Sequence, residues 1–416
     1  MKIKTRTTCR ICNSKLIDVV DLGNQTLGNK FLFPEDKKPP LAPLELVRCD
    51  GKNNDACRLV QLRHTIPARL LYTEYWYCSG INQTMRKHLA NIAKKAEKIA
   101  RLKSGDTVLD IGCNDGTLLG SYTTKRIKRI GIDPAKNIVT KTKKYDIKIV
   151  NDFFSSSVFF KVSRKRAKII TSIAMFYDLE DPNKFVSDIK QILHEDGLWV
   201  MEQSYLPMML NLNSFDTICH EHLEYYSLAP IDFMLMNNGL EAVDVEFNDV
   251  NGGSFRVYIM HKGKKEQSKR LLNARKREKL LNLSSDKPYK VFRNNINRIR
   301  TGLISLIKSE HNLGKKIFVY GSSTKGNTIL QFCNLNNEII TAAADKNPDK
   351  WGRLTPGTNI PIISEEEARN ENPDYFLVLP WHFLNEFVIR EKKYFESGGK
   401  FIVPLPEVKI IDKSIL

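Results

Sequence analysis

"DTVLDIGCNDGTLLGSY", residues 106–122, reads as a buried strand from Val108 to Ile111, a tight glycine turn, and a helix opening at Thr117. Downstream, "RIGIDPA" (129–135) reads as a second strand ending in Asp133. A carboxylate there, about 20 residues beyond a glycine turn, is where a doubly wound α/β fold holds ribose hydroxyls. The turn is neither a dinucleotide G-x-G-x-x-G nor a P-loop, because no Gly-Lys-Ser/Thr follows. It carries Asp110, Gly112, Asn114, Asp115 and Gly116. Acidic side chains at this place would repel a pyrophosphate and suit a nucleoside cofactor that is cationic at its reactive end. Gly112 and Gly116 let backbone approach such a ligand closely. On the residues alone, another nucleoside held by the same fold stays open.

The stretch resembles the first motif of the class I methyltransferases. That resemblance implies a doubly wound, seven-stranded α/β core with S-adenosylmethionine held by the turn residues and Asp133. "NDFFS" (151–155) would follow the third strand, where the same family places an Asp-Phe pair beside adenine, so Asp152 and Phe153 are expected there. Met175 and Phe176, after the fourth expected strand, either line the cofactor channel or belong to the core.

At the front of the chain, Cys9 and Cys12 form a C-x-x-C pair, and Cys49 and Cys57 form a second, wider one. Two cysteine pairs on two turns supply the four soft ligands that a tetrahedral zinc ion takes, and a closed set of four is structural rather than catalytic. The seven-residue spacer DGKNNDA is longer than the two or three residues usual in such pairs. Unligated thiols are the alternative. A segment of about 60 residues with few large aliphatics needs such a staple.

The chain has 416 residues, of which 42% are apolar, and carries a formal net charge of +18. This length makes two or three domains the expectation. No run of 18 uncharged apolar residues occurs, and MKIKTRTTCRIC has no apolar core of a signal peptide, so a cytoplasmic protein without a membrane span is expected. Lysines and arginines spread over 124–148, 161–168 and 262–300 without a nucleic-acid-binding motif, which argues against nucleic acid as a partner. Basic charge dispersed over helix faces reads as a solvated surface; the alternative is that it steers an anionic small molecule toward its cleft. The densest run, 264–282, is expected to be an amphipathic helix with a stripe of Leu271, Leu272, Leu280 and Leu281.

"NSFDTICHEHLEYYSL" (213–228) packs Cys219, His220, Glu221, His222, Tyr225 and Tyr226 into eight positions. The two histidines could hold a metal, pack as ordinary side chains, or supply a general base, since an unperturbed imidazole titrates near neutral pH. At this point the whole chain resembles the sugar C-methyltransferases of nucleotide-sugar pathways. The words that carry the likeness include "DLGNQTLGNKFL", "YWYCSGINQTMRKHL" (75–89), "HEHLEYYSL", "NDVNGGSFRVY" (248–258), "VYGSSTKGNT" (319–328) and "ADKNPDKWGRLTPGT" (344–358). The resemblance implies a zinc-binding segment, a methyltransferase core and a C-terminal domain of the family. It implies methylation at C3 of a 4-keto-deoxy sugar linked to dTDP, GDP, CDP or UDP. It makes His222 the catalytic base, with Glu221 and His220 orienting it or stabilising the enolate oxygen. Cys219 stands where the family often has tyrosine, and Tyr225 or Tyr226 could replace that phenol. By the same likeness Tyr75, Tyr77, Ser79, Gly80 and Asn82 lid the cofactor and face the sugar; a buried aromatic cluster is the alternative.

"KKIFVYGSSTKGNTILQF" again gives strand, glycine turn and helix, and a further strand ends at Asp345. A second nucleotide site of NAD type is one reading, although the three-glycine fingerprint is absent. The family reading has this turn and Lys325 hold a diphosphate, with Trp381 and His382 as further contacts. The expected division is 1–66 for the zinc segment, 67–250 for the core and 251–416 for a Rossmann-like substrate domain. An O- or N-methyltransferase on a related sugar nucleotide, and a zinc-containing nucleic-acid-binding protein, are the competing readings. The oligomeric state stays open.

Overall fold

The computed structural model describes residues 3–37, 39–51, 56–140 and 146–415. Most of the spacer between Cys49 and Cys57, at 52–55, lies outside the described residues.

The strand Thr107–Ile111 is buried at all five positions, as the centre of a parallel sheet covered on both faces requires. Its one charge, Asp110, is satisfied inside the sheet by the Thr171 hydroxyl, which donates at 2.5 Å. Around it lies a seven-stranded sheet in the order Leu240–Asn248, Ser254–His261, Leu193–Ser204, Ala167–Ile173, Thr107–Ile111, Lys128–Ile132, Lys148–Val150. The five strands from Lys148–Val150 to Leu193–Ser204 run parallel, and Ser254–His261 enters antiparallel beside the last of them. This is the class I methyltransferase sheet. Its strand Ser254–His261 lies beyond the division expected at residue 250.

The helix Gln83–Ala100 covers one face of the sheet. Asn82 caps it, its side chain accepting from Thr84 N at 2.8 Å. Leu89, Ile92, Ala93, Ala96 and Ala100 recur at the helical period and are buried. The helix Lys269–Leu281 departs from its expected leucine stripe: Leu271 is buried, whereas Leu280 is 85% exposed. The inward face is Leu271, Ala274 and Glu278. Glu278 occupies a core position because its carboxylate accepts from Tyr205 Oη at 2.8 Å and Leu228 N at 2.7 Å.

The N-terminal segment builds a four-stranded sheet that is not self-contained. Its order is Glu224–Tyr225, Val60–Leu62, Leu41–Cys49, Leu16–Thr26. The edge strand therefore comes from the core, two residues after His222. Arg10, inside the C-x-x-C turn, reinforces that join. Its guanidinium stands 3.3 Å from Glu224, both side chains fully buried, and donates to Gln61 Oε1 and Leu62 O at 2.9 Å.

The other flank of the segment is tied to the C-terminal unit. That unit is a six-stranded sheet ordered Ile362–Ser364, Ala342–Asp345, Ile317–Tyr320, Tyr375–Val378, Lys400–Val403, Lys409–Ile411, parallel except for the last strand. Asn327 donates to Gly28 O at 2.7 Å, Gln331 accepts from Thr26 N at 2.7 Å, and Leu354 N bonds Leu32 O at 2.8 Å. The word "NQTLGNKFL" is thus a docking surface for the C-terminal unit.

Arg10→Met leaves Glu224 buried without its partner and should lower the unfolding free energy by about 3–5 kcal/mol, measured by urea denaturation. Arg10→Met combined with Glu224→Leu should recover most of that loss. A double variant as unstable as the single one would remove the ion pair from this account.

Candidate functional site

Cys9, Cys12, Cys49 and Cys57 converge at one point, all four sulfurs lying within 4.8 Å of one another. Cys9 Sγ is 3.4 Å from Cys57 Sγ, and Cys12 Sγ is 3.5 Å from Cys49 Sγ. Four thiolates bound at about 2.3 Å around a tetrahedral ion lie about 3.8 Å apart. The donor set fits zinc, and among the described residues no fifth protein group joins the cluster.

At the carboxyl end of the core strands, the glycine turn is occupied by the chain itself. Gly112 has φ +68°, and a Cβ there would meet Met175 Cγ at 3.1 Å, so only glycine fits. Asp133 accepts from Asn114 N and Ala135 N, both at 2.8 Å. Asn114 Oδ1 accepts from Ser79 N at 3.0 Å, and its amide donates to Tyr77 O at 3.0 Å. Asp115 accepts from Gly80 N at 2.7 Å and from Thr117 Oγ1 at 2.6 Å. Burial raises the Asp115 carboxyl, but the Cys78 thiol, Thr117 and Gly80 outweigh it and hold the carboxyl below its ordinary range. The segment Tyr77–Gly80 is therefore clasped on the turn by two polar side chains. Tyr75 is held in the same way by Asn137, which accepts from its N at 3.0 Å and donates to its O at 2.8 Å. Asp152 and Phe153 are exposed beyond the strand Lys148–Val150, on the rim of the same end. These residues fit an adenosine-bearing cofactor: a buried carboxylate, a turn that lacks a side chain at Gly112 and Gly116, and an exposed aromatic ring.

The histidine word divides between two sides. His222 Nδ1 donates to Thr217 O at 2.9 Å, a carbonyl that can only accept, so Nε2 is left as the acceptor. The ring packs on Tyr177 at 4.4 Å and borders a slot of 10 Å³ with Ser204, Tyr205 and Tyr225. Burial and the Lys325 charge push its pKa down to about 3, so the imidazole is neutral. His220 points elsewhere: its Nε2 bonds Ala42 O at 3.1 Å in the N-terminal sheet, and burial lowers it to about 4. Its expected place beside the base is corrected to a pin between the core and the N-terminal sheet.

Glu221 lies inward, where burial pushes its carboxyl up to about 7 against the Cys219 and Asn29 side chains. Among the described residues no hydrogen bond joins it to His222, and its Oε1 has no partner. Around it gather groups that the sequence reading did not single out. Tyr72 Oη donates to Glu221 O at 2.5 Å. Burial, together with Glu221 and Glu224, raises the Asp178 carboxyl well above its ordinary range. Tyr75 and Tyr177 are raised by burial and by the same two carboxyls, Glu221 and Asp178. The word "FYDLED", directly after an expected strand, was the one available signal for Asp178.

Two further expectations are corrected. Tyr226 is fully buried against Phe176 at 5.2 Å and lies in the core beside the cysteine knuckle, while Tyr225 borders the slot with His222. Asn82 spends its side chain on the helix cap.

From the C-terminal unit, Lys325 reaches the same region. Its Nζ donates to Asn251 O at 3.4 Å, and burial lowers its pKa against the pull of Asp216 and Cys219. Burial first, and then Lys325, pushes His382 down to about 3. Asp216 accepts from Trp381 Nε1 at 3.0 Å. Lys325, His222, His382 and Asp216 thus interact across the domain boundary, where Thr328 Oγ1 anchors the helix Thr324–Phe332 to Ile218 O at 3.0 Å. The carboxylate of the NAD-type reading is held by two backbone amides as Asp133 is, and by a lysine besides. Asp345 accepts from Ser322 N at 2.9 Å, from Asn347 N at 2.8 Å and from Lys350 Nζ at 3.1 Å.

Three family models match in order along the chain. One described as "Putative zinc binding domain" covers residues 9–72, one described as "Methyltransferase domain" covers 82–245, and one described as "C-methyltransferase C-terminal domain" covers 249–406. The C-methyltransferase NovU of Streptomyces niveus is 30% identical over 413 residues, spanning 97% of this chain and 96% of that one. Among solved structures, magnesium protoporphyrin IX methyltransferase of Synechocystis PCC 6803 is 11% identical, with a TM-score of 0.33 over 42% of this chain and 79% of that one. An S-adenosylmethionine-dependent methyltransferase of Clostridium acetobutylicum is 11% identical, with a TM-score of 0.33 over 43% and 92%. No helix among the described residues is long and apolar enough to cross a membrane.

Elemental analysis of the purified protein should find about one zinc per chain, and Cys12→Ser should lose it together with thermal stability. Glu221 and Asp110 have carboxyls raised to about 7, so the folded state binds protons more tightly than the unfolded chain. Their contribution is complete below the ordinary carboxyl range and is lost as pH climbs toward 7. The melting temperature should therefore fall between about pH 4 and about pH 7, and Glu221→Gln should flatten that fall.

Proposed function

The chain belongs to the C-methyltransferase family, with S-adenosylmethionine as methyl donor and zinc in its four-cysteine cluster, and we propose that it methylates C3 of a nucleotide-linked 4-keto-deoxy sugar in the cytoplasm. The observation that carries this reading is the state of His222. Its Nδ1–H is spent on Thr217 O, its Nε2 is an open acceptor, and the ring is held neutral. In this reading residues 1–66 are the zinc segment, 67–250 the methyltransferase core and 251–416 the substrate unit, with Ser254–His261 completing the core sheet from beyond the boundary.

A ketone at C4 acidifies the neighbouring C3–H, so one positioned base suffices to generate an enolate. His222 Nε2 takes that proton, and the Thr217 carbonyl stabilises the imidazolium that forms. The base sits near Lys325, whose charge depresses it. A diphosphate bound by Lys325 neutralises that charge and raises the basicity of the imidazole as the acceptor arrives. When bound, S-adenosylmethionine supplies an electrophilic methyl group on a sulfonium. Asp133, Asp152, Phe153 and the turn residues Gly112, Asn114, Asp115 and Gly116 would hold it, with Asp110 supporting the turn from inside the sheet. Tyr75 closes over the turn, Tyr77 faces the sugar, and Lys325 and His382 hold the acceptor from the opposite wall.

A second reading has Glu221 as the base. Its carboxyl is raised to about 7, close to an operating pH, and its Oε1 is buried without a partner. The two separate in one experiment, exchange of the C3 hydrogen of a 4-keto-6-deoxy sugar nucleotide with deuterated solvent.

His222→Asn should slow both exchange and methyl transfer by about 10²–10⁴-fold, with affinity for S-adenosylhomocysteine kept. Wild-type exchange in that variant, with loss in Glu221→Gln, would move the role to Glu221. Methylation of the 4-hydroxy sugar nucleotide in place of the 4-keto one would end the enolate route and favour an O-methyltransferase.

A further inference from the structure

Residues 73–80 join the N-terminal segment to the helix Gln83–Ala100 and form neither helix nor strand. Backbone amides and carbonyls outside regular structure need other partners. Here the partners are side chains. Asn137 accepts from Tyr75 N at 3.0 Å and donates to Tyr75 O at 2.8 Å, which copies one rung of a β-ladder. Asn114 and Asp115 hold Tyr77, Ser79 and Gly80 on the glycine turn. Trp76 Nε1 donates to Asn29 O at 2.7 Å, which ties the intervening ring to the N-terminal segment.

Asn137 stands between two regions of the site. It follows the loop that carries Asp133, whose carboxylate accepts from Ala135 N at 2.8 Å. The next residue of that loop, Lys136, donates its N to Thr73 O at 3.1 Å, so two successive positions grip the 73–80 stretch. On the other side, Tyr72 Oη donates to Glu221 O at 2.5 Å, so the chain already lies against the Glu221 cluster where it enters the stretch. Burial first, then Glu221, Asp178 and Tyr177, raises the Tyr75 phenol well above its ordinary range, which sets that ring in the same cluster. The carbonyl and the amino group of Asn137 are both engaged with Tyr75, so it acts through that residue.

We propose that Asn137 is a positioning residue for methyl transfer: from the loop of the donor's ribose it fixes the Tyr75 ring against the cluster around Glu221. The assignment rests on the acceptor reading above. A ligand that orders the loop orders Tyr75 with it. Tyr75 and Asn137 both line a cavity of 440 Å³, so water can take the two backbone groups when the amide is removed. Loss of the amide therefore costs little stability, and what it removes is position.

The test compares Asn137→Ala in the full-length protein with Lys136→Ala, whose side chain is exposed, as control. In Asn137→Ala the kcat for methyl transfer to a 4-keto-6-deoxy sugar nucleotide should fall by about tenfold to a hundredfold. Affinity for S-adenosylhomocysteine should stay within about threefold, and the melting temperature within about 2 °C. Hydrogen exchange supplies a readout that needs no acceptor. Bound S-adenosylhomocysteine should slow exchange of the Tyr75 amide in the wild type and in Lys136→Ala, and Asn137→Ala should lose that slowing. An unchanged kcat overturns the proposal. A fall in kcat matched by lost donor affinity or by a lower melting temperature overturns it too, in favour of a donor contact or a structural role. So does equal slowing in Asn137→Ala, or none in the wild type. A wild type that methylates no 4-keto sugar nucleotide removes the acceptor reading alone, and hydrogen exchange then decides Asn137.

Discussion

The buried pairing of Arg10 with Glu224 is the contact on which the arrangement of this protein turns. Arg10 belongs to the thiolate knuckle, and Glu224 belongs to the strand that begins two residues after His222. Metal chemistry at the front of the chain is thereby converted into backbone position at the proposed base. Taking such groups out of water is costly: burial raises the Glu224 carboxyl to about 8 against the pull of Arg10, and the pairing persists because its geometry is held from outside. Here the holding is done by four cysteines on one side and by the Gln61 and Leu62 hydrogen bonds on the other. The knuckle takes no part in the chemistry, yet the segment it staples is too small to be rigid without it.

From that anchor the segment works in two directions. One flank takes Glu224–Tyr225 as its fourth strand and receives His220 on Ala42 O. The other is locked to the helix Thr324–Phe332 by Asn327 and Gln331. Each part of the chain thus contributes a wall that the others cannot supply: a glycine turn from the core, a lysine and two aromatic loops from the C-terminal unit, and the backbone between. Lys325 is the electrostatic centre of this arrangement. It lowers two histidines that lie far apart in sequence, His222 and His382. A cation buried among neutral imidazoles suits the anionic acceptor proposed above.

Much of this was legible from local words, and the misreadings share a cause. The glycine turn with Asp133, the two cysteine pairs and the strand–turn–helix at 317–332 each depend on residues close together in the chain, and each was found where expected. In "HEHLEYY", by contrast, adjacent residues serve different neighbours. His220 faces the N-terminal sheet, Glu221 a nest of phenols, His222 the slot, and Tyr226 the core. Sequence spacing shows that such groups are close, not which way each one points. The leucine stripe of 264–282 held only at Leu271: the inward face continues through Ala274 to Glu278, whose carboxylate finds two buried donors. Asp178, Tyr72 and Tyr177 carry no motif of their own and become visible only when the chain gathers them around Glu221.

By itself the amino-acid order determined the fold class and the two cysteine pairs, because each rests on short-range periodicity or on fixed chemical preference, while the family rests on the likeness of whole words along the chain. Tertiary structure alone decided which histidine keeps a free nitrogen, that Asp345 is tied to Lys350, and that the front segment borrows a strand from the core. Those outcomes depend on which way each side chain turns and which strand edge it meets. A hydrogen bond or an ion pair can be spent once, and only the folded chain shows where it was spent.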